Sequence, residues 1–341
     1  MSLLSLENRY PILFRCKKMT RKLLIFGNGL GMALDPSHFS LERALKDVWN
    51  NADFLTSEHK TLIEYCYKHD GPPQGEHELE TLYQAITHCQ GLSDIGDTES
   101  EHWLTSCGQS FPEITSKYFH AVATNLHLYD KELPDDFLNS LTDFIKCSKS
   151  HVATLNYDKL LYSPFIGMNV VTGDYRSTKL VDGMIHSGFG SDSLERRYSN
   201  DFGYYLHLHG SPLFYSNNGY YRKKSLGNLS SRDSFASNHI VLTHFSRKPS
   251  VIASSGILST YWSYLPLVLN EAEEVIIFGY SGLDKHLNRL LNINGRNKDI
   301  RVVEWIGSGE RSERENFWEK ELGRKVELVS MDNILEFDEW E

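Results

Sequence analysis

Two stretches of the chain place polar, hydrogen-bonding side chains directly after apolar runs: Thr154-Leu155-Asn156-Tyr157-Asp158 and Leu206-His207-Leu208-His209-Gly210-Ser211. Strand ends of that kind border the ligand crevice of an open α/β sheet. His209 carries an imidazole that can take a proton from a hydroxyl or a water near neutral pH. The competing reading is a satisfied structural histidine. Asn156 offers both a donor and an acceptor, and so can orient a water and a sugar hydroxyl together. Asp158 can offset developing positive charge or cap the next helix, and its type leaves both roles open. His207 and His209 stand two apart and would share one face of a strand. No cluster of Cys, Asp or Glu accompanies that pair, so a metal is not expected there.

A third stretch, Leu23-Leu24-Ile25-Phe26-Gly27-Asn28-Gly29-Leu30-Gly31, is a short apolar run closing on Gly-x-Gly-x-Gly. Glycines let backbone approach a diphosphate, and the N–H groups of a following helix would point at it. Tight turns also use glycine for purely steric reasons. Gly279-Tyr280-Ser281-Gly282 follows the most apolar run, Val275–Phe278. Its second glycine arrives one position too early for a Gly-x-Ser-x-Gly nucleophile elbow. Gly279 and Ser281 better suit hydrogen bonding to a ribose or an adenine.

The elements that must position these residues follow from apolar periodicity. Strands are expected at Lys22–Phe26, His151–Leu155, Tyr204–Leu208, His239–Thr243, Val275–Phe278, Arg301–Ile306 and Val326–Val329. From about 40 to 147 the pattern is helical, with Leu41, Leu45, Val48 and Trp49 on one face and Ile114, Tyr118, Val122 and Leu126 stepping by four. Asp284 can cap a helix carrying Leu287, Leu290 and Leu291. A helix over 311–322 ends at Gly323. Ser163 to Gly203 reads as a long turn-rich region. Strands alternating with helices predict an α/β fold: a doubly wound, mostly parallel, Rossmann-like sheet with a large helical insertion after the first βα unit. The expected organisation is an accessory segment over 1–20, a nucleotide-binding domain over 21–330, and a peripheral acidic tail over 331–341.

The chain has 341 residues and a formal net charge of -10, with the basic pairs Arg21-Lys22 and Arg247-Lys248 isolated. Such a surface argues against a nucleic-acid backbone as partner, and isolated Lys or Arg pairs usually sit solvated. Cys16, Cys66, Cys89, Cys107 and Cys147 form no Cys-x-x-Cys pair, a pattern read as reduced cytosolic thiols. No run of about 18 apolar residues marks a membrane span, so a cytoplasmic protein is expected.

Taken in chain order, these segments resemble the sirtuin-like superfamily. Gly27-Asn28-Gly29 resembles its opening Gly-Ala-Gly turn, and Thr154-Leu155-Asn156-Tyr157-Asp158 resembles its Thr-Gln-Asn-Ile-Asp motif. Leu208-His209-Gly210 matches the Leu-His-Gly that carries the family's histidine. Phe278-Gly279-Tyr280-Ser281-Gly282 resembles the turn closing its NAD site. The two Cys-x-x-Cys pairs of protein-deacylating members are missing, and the 40–147 insertion is present. Those departures resemble the bacterial branch whose members hydrolyse NAD in antiphage defence. The resemblance implies NAD as substrate, no metal, and catalysis by Asn156 and His209 with help from Asp158. Gly27, Asn28, Gly29, Gly279 and Ser281 would bind the dinucleotide, and Asp35 would face the nicotinamide ribose. It further implies a homo-oligomer and a partner protein of a defence system. The alternatives are an NAD-dependent deacylase or ADP-ribosyltransferase, and a non-catalytic sensor of NAD or ADP-ribose.

Overall fold

The computed structural model describes residues 19–95, 102–173, 179–185, 188–197, 199–230, 237–242 and 248–341. The chain enters through β1 (Lys22–Phe26), whose five residues are all buried. Lys22 is tolerated there because its Nζ pairs with Glu274 Oε2 at 2.5 Å. After α1 (Gly29–Leu34) come α2 (Leu41–Asn51), α3 (Ser57–Tyr67), α4 (Glu76–Ile95), α5 (Ser106–His127) and α6 (Asp135–Ser148). Ser40, Thr56 and Thr105 cap α2, α3 and α5 by accepting a backbone N–H three residues on, which satisfies donors a helix start leaves orphaned.

The sheet resumes with β2 (His151–Thr154). Then follow α7 (Tyr162–Gly167), β3 (Val171–Thr172), β4 (Leu180–Val181), β5 (Met184–Ile185), β6 (Gly188–Phe189), β7 (Gly203–His207), β8 (Phe214–Asn217) and β9 (Tyr220–Lys223). The last part comprises α8 (Lys248–Ser254), α9 (Gly256–Glu271), β10 (Glu274–Phe278), α10 (Lys285–Asn294), β11 (Asp299–Trp305), α11 (Arg311–Leu322) and β12 (Glu327–Met331). Eight strands form one parallel sheet in the order β12-β11-β10-β1-β2-β7-β4-β3. Buried parallel strands read as continuous apolar runs, which is why β1 and β10 stood out in the sequence. A small antiparallel sheet, β5-β6-β9-β8, lies apart from it. The doubly wound, Rossmann-like fold expected from the sequence is therefore the observed one.

Several expectations need correction. The run from His239 makes only an isolated bridge, Ile240 to Gly210, rather than a strand; Thr243 and residues 1–18 lie outside the described residues. The turn-rich stretch after Ser163 contains β3, β4, β5 and β6, each of two residues and too short for a periodicity to register. The insertion's own core unites α2 to α5 around Leu45, Ile63, Leu82 and Tyr118, whereas α6 packs Phe137, Leu141 and Ile145 into the sheet core. The acidic tail is not peripheral. Ile334, Leu335, Phe337 and Trp340 are buried, and the Trp340 ring meets those of Phe137, Phe278 and Phe337 at 5.6, 5.7 and 4.8 Å. Cys66, Cys89 and Cys107 are free thiols, but Cys147 is disulfide-bonded, so the reading of five reduced thiols fails at that residue. Among the described residues no helix is long and apolar enough to cross a membrane.

Candidate active site

In a parallel sheet every strand ends on the same edge, and the register fixes which residues meet there. Phe278 pairs with Phe26 and Val303, Phe26 with Thr154, and Thr154 with His207. One step further on, Glu304, Gly279, Gly27 and Leu155 stand level, and two steps on stand Trp305, Tyr280, Asn28, Asn156 and His209. All of these line one cavity of about 850 Å³, within the range of small-molecule and cofactor sites. The cavity runs past five adjacent strand ends, β11, β10, β1, β2 and β7. Four inter-strand spacings of about 4.8 Å give a length of roughly 19 Å. Strand order reverses between β1 and β10, the topological switch point where such sheets bind ligands.

The two glycine turns meet at this switch point, and packing dictates their glycines. A Cβ on Gly29 would lie 2.5 Å from the carbonyl oxygen of Gly279, and one on Gly27 would lie 2.6 Å from Tyr280 Cα. The Gly29 N–H donates to the Gly279 carbonyl at 2.7 Å, and Gly279 itself has a φ of +61°. The steric reading of the Gly-x-Gly turn thus accounts for these residues. The Gly29 N–H is committed to the Gly279 carbonyl. Asn28, Gly279 and Ser281 do line the cavity; Ser281 is exposed, and its Oγ accepts from Leu283 N at 3.4 Å.

Asn156 sits just past β2 and is 6 % exposed. Its Nδ2 donates to the Gly27 carbonyl at 3.0 Å, which orients the amide and turns it into an acceptor. Its Oδ1 is buried with no hydrogen-bond partner among the described residues. A buried acceptor left unpaired is costly, and a ligand hydroxyl or a water at the cavity wall would satisfy it. Tyr157 fixes the turn by donating from its hydroxyl to the Val241 carbonyl at 2.6 Å, and His127 Nδ1 approaches the Tyr157 carbonyl at 2.8 Å. Burial pushes His127 down to about 4, so it is a neutral donor at pH 7. Asp158 Oδ1 accepts from Leu160 N at 2.9 Å, so the local capping role is real. Asp158 also lines the cavity, and burial pushes its carboxyl up to about 6. A carboxylate poised near neutrality in a cleft is a recurring mark of function.

His209 and His207 diverge, against the expectation of a shared face. β7 ends at His207, which is packed among the rings of Tyr162, Tyr205 and Phe214 at 4.8, 4.9 and 5.2 Å. His209 lies in the turn beyond it, with Nε2 3.0 Å from Asp284 Oδ2. Lys248 Nζ also reaches Asp284 Oδ2 at 3.0 Å. Burial alone would raise the Asp284 carboxyl, but His209 and Lys248 hold it well below the usual carboxylate range. Lys248 is 3 % exposed, so the solvated Arg247-Lys248 pair read from the sequence is wrong for Lys248. At the other end of the cavity Arg314 grips Glu304 through three contacts of 2.6 to 3.1 Å. Trp305, beside Glu304 in sequence, is 58 % exposed.

The structure brings Asn156, Asp158, His209, Gly27, Asn28, Gly29, Gly279 and Ser281 to one cavity and leaves Asp35 out. Asp35 instead closes a turn, its Oδ1 accepting from Ser37 N and His38 N at 3.0 Å each and its Oδ2 from the Tyr129 hydroxyl at 3.3 Å. Sequence reasoning saw Asp284 only as a helix cap, which it is, accepting from His286 N and Leu287 N. It missed Lys248, Glu304, Trp305 and Arg314 as cavity residues; the ionic character of Glu304 inside a buried strand was the one readable signal.

A doubly wound α/β protein with a long crevice at its switch point is the class that fold and cavity define. The chain belongs to the DUF4917 family, a domain of unknown function whose model matches residues 24–329. That stretch contains all the expected site residues. No curated protein matches the chain.

Proposed function

We propose that the protein is a sirtuin-like NAD hydrolase that cleaves NAD to nicotinamide and ADP-ribose. The observation that carries this reading is that Asn156, Asp158 and His209 line one cavity just past the carboxyl ends of neighbouring strands. The length of the crevice along the switch point suits an extended dinucleotide.

The bond to be broken joins the ribose C1′ to the pyridinium nitrogen of nicotinamide. Its electron pair passes to that nitrogen, so the leaving group departs neutral and the sugar becomes an oxocarbenium-like cation. The unpaired Asn156 Oδ1 would hold a ribose hydroxyl or the attacking water. The Asp158 carboxylate would offset the sugar's charge. The water oxygen bonds to C1′, and His209 takes the proton the water loses. The product is ADP-ribose. Deacylation or ADP-ribosyl transfer would share the first step and differ only in the acceptor. Activity of this kind would suit an effector of antiphage defence that depletes NAD once triggered, with the α2–α5 insertion as a contact for copies of the chain or for a partner.

The test is incubation of the protein with NAD, with and without extract of infected cells, followed by quantification of nicotinamide. Asn156→Ala and His209→Ala should abolish release while keeping the wild-type circular dichroism spectrum. Full activity in either folded variant would overturn the assignment. Free ADP-ribose as co-product supports water as the acceptor; O-acyl-ADP-ribose or a modified protein would move the proposal to the rival chemistry.

A further inference from the structure

Asp284 performs two tasks with its two oxygens. Oδ1 caps α10, a job that asparagine or serine does as well. Only the second oxygen requires a carboxylate: Oδ2 meets His209 Nε2 and Lys248 Nζ, each at 3.0 Å. Both charged side chains are almost fully buried, at 3 % exposure for Asp284 and 4 % for Lys248. Burying an ion pair is expensive and often brings no net stability. The residue is also held rigidly. Its backbone N–H donates to the Tyr280 hydroxyl at 2.7 Å, and that hydroxyl lies 3.0 Å from Asn288 Oδ1. A capped, clamped carboxylate is thus presented to one nitrogen of the imidazole at the cavity wall.

We infer that Asp284, clamped by Lys248, is the positioning residue that fixes the tautomer and orientation of His209. Held ionised, the carboxylate requires the hydrogen of the neutral ring to reside on Nε2, and it stabilises the imidazolium once His209 has gained a proton. Lys248 shares the same oxygen and so offsets part of the carboxylate's charge. This inference rests on the NAD-hydrolase reading for its kinetic consequence, but its structural content stands independently. Among the described residues, the other titratable groups around the imidazole are Tyr157, whose ring centroid lies 6.5 Å away, and Asp158, which lines the same cavity. Tyr280 supports Asp284 from below, and His286, at the start of α10, lies within electrostatic reach of Asp284 and Lys248.

The pair can be tested by two substitutions with opposite signatures. Asp284→Asn keeps the cap and leaves Lys248 as an uncompensated cation, so the titration midpoint of His209 moves to lower pH. Lys248→Met leaves the carboxylate facing the imidazole alone, so the midpoint moves to higher pH. Both are read by NMR of the full-length protein carrying ¹⁵N-labelled histidine, where the nitrogen shifts also report the tautomer. With NAD as substrate, Asp284→Asn should lower kcat on the order of 100-fold with KM little changed. A merely structural role would move both variants in the same direction or leave the midpoint in place, and either result overturns the inference. If the midpoints move in opposite directions while no NAD is cleaved, the positioning role stands and the hydrolase reading falls. If NAD is cleaved and the midpoints do not move, the reverse holds.

Discussion

Asp158→Asn should make the protein more stable at neutral pH while removing the proposed NAD hydrolysis. The Asp158 carboxyl is half-buried in the cavity wall, and burial pushes it up to about 6 from the ordinary 3.8, against the pull of hydrogen bonds from the Leu160 N–H and its own. A carboxyl raised in the folded state favours folding fully only below pH 3.8, and that advantage is lost as pH rises through about 6. At pH 7 keeping the group ionised in the wall costs about 3 kcal/mol, from 1.36 kcal/mol for each pH unit of displacement. At pH 4 the same arithmetic leaves about 0.5 kcal/mol. Asparagine removes the charge yet keeps an oxygen to accept from Leu160 N, now at 2.9 Å. Allowing for the partial exposure of the site, urea unfolding at pH 7 should show a gain of about 1–3 kcal/mol, shrinking steadily as the buffer is taken to pH 4. A variant less stable than wild type at pH 7, or a gain that does not change with pH, would refute the reasoning. The proposed NAD hydrolysis should fail in the same variant, because in that mechanism the sugar cation would lose its counter-charge.

Three further outcomes follow from the same contacts. In the wild type the rate of nicotinamide release should fall as pH drops through about 6, where Asp158 gains its proton; a rate flat from pH 7 to 5 would remove Asp158 from the mechanism. Gly29→Ala forces a Cβ against the Gly279 carbonyl at 2.5 Å, backbone against backbone, and should destabilise by about 2 kcal/mol in a urea titration. Trp340→Ala empties a site 1 % exposed and should cost about 3–5 kcal/mol in the same titration. A loss below 1 kcal/mol would mean that the tail is not part of the core.

The long parallel strands were legible because burial on both faces leaves continuous apolar runs, as in Leu23–Phe26 and Val275–Phe278. Asn156 and His209 were legible as polar residues just past such runs, and the register Thr154 to His207 brings them level. What the sequence concealed depends on direction rather than type. Lys248 follows Arg247 and looks like half of a solvated pair until α8 turns it toward Asp284. Asp35 lies near the glycine turn in sequence, but one of its oxygens is spent on the Ser37 and His38 amides and the other on the Tyr129 hydroxyl. Trp340 was hidden by its acidic neighbours, since a count of charges in the tail says nothing about which side chains face inward. His207 shows the limit of period-two reasoning: the strand ends at His207, so the residue two further on need not share its face.

The claim that three side chains on one wall deliver water to a sugar carbon is tested most directly in ¹⁸O-labelled water. The protein is incubated with NAD, with and without infected-cell extract, and the products are weighed by mass spectrometry. The account predicts nicotinamide and ADP-ribose in equal amounts, with one ¹⁸O at C1′ and no product from His209→Ala. NAD that occupies the cavity and is recovered intact under every condition, or ADP-ribose carrying no label, would contradict it.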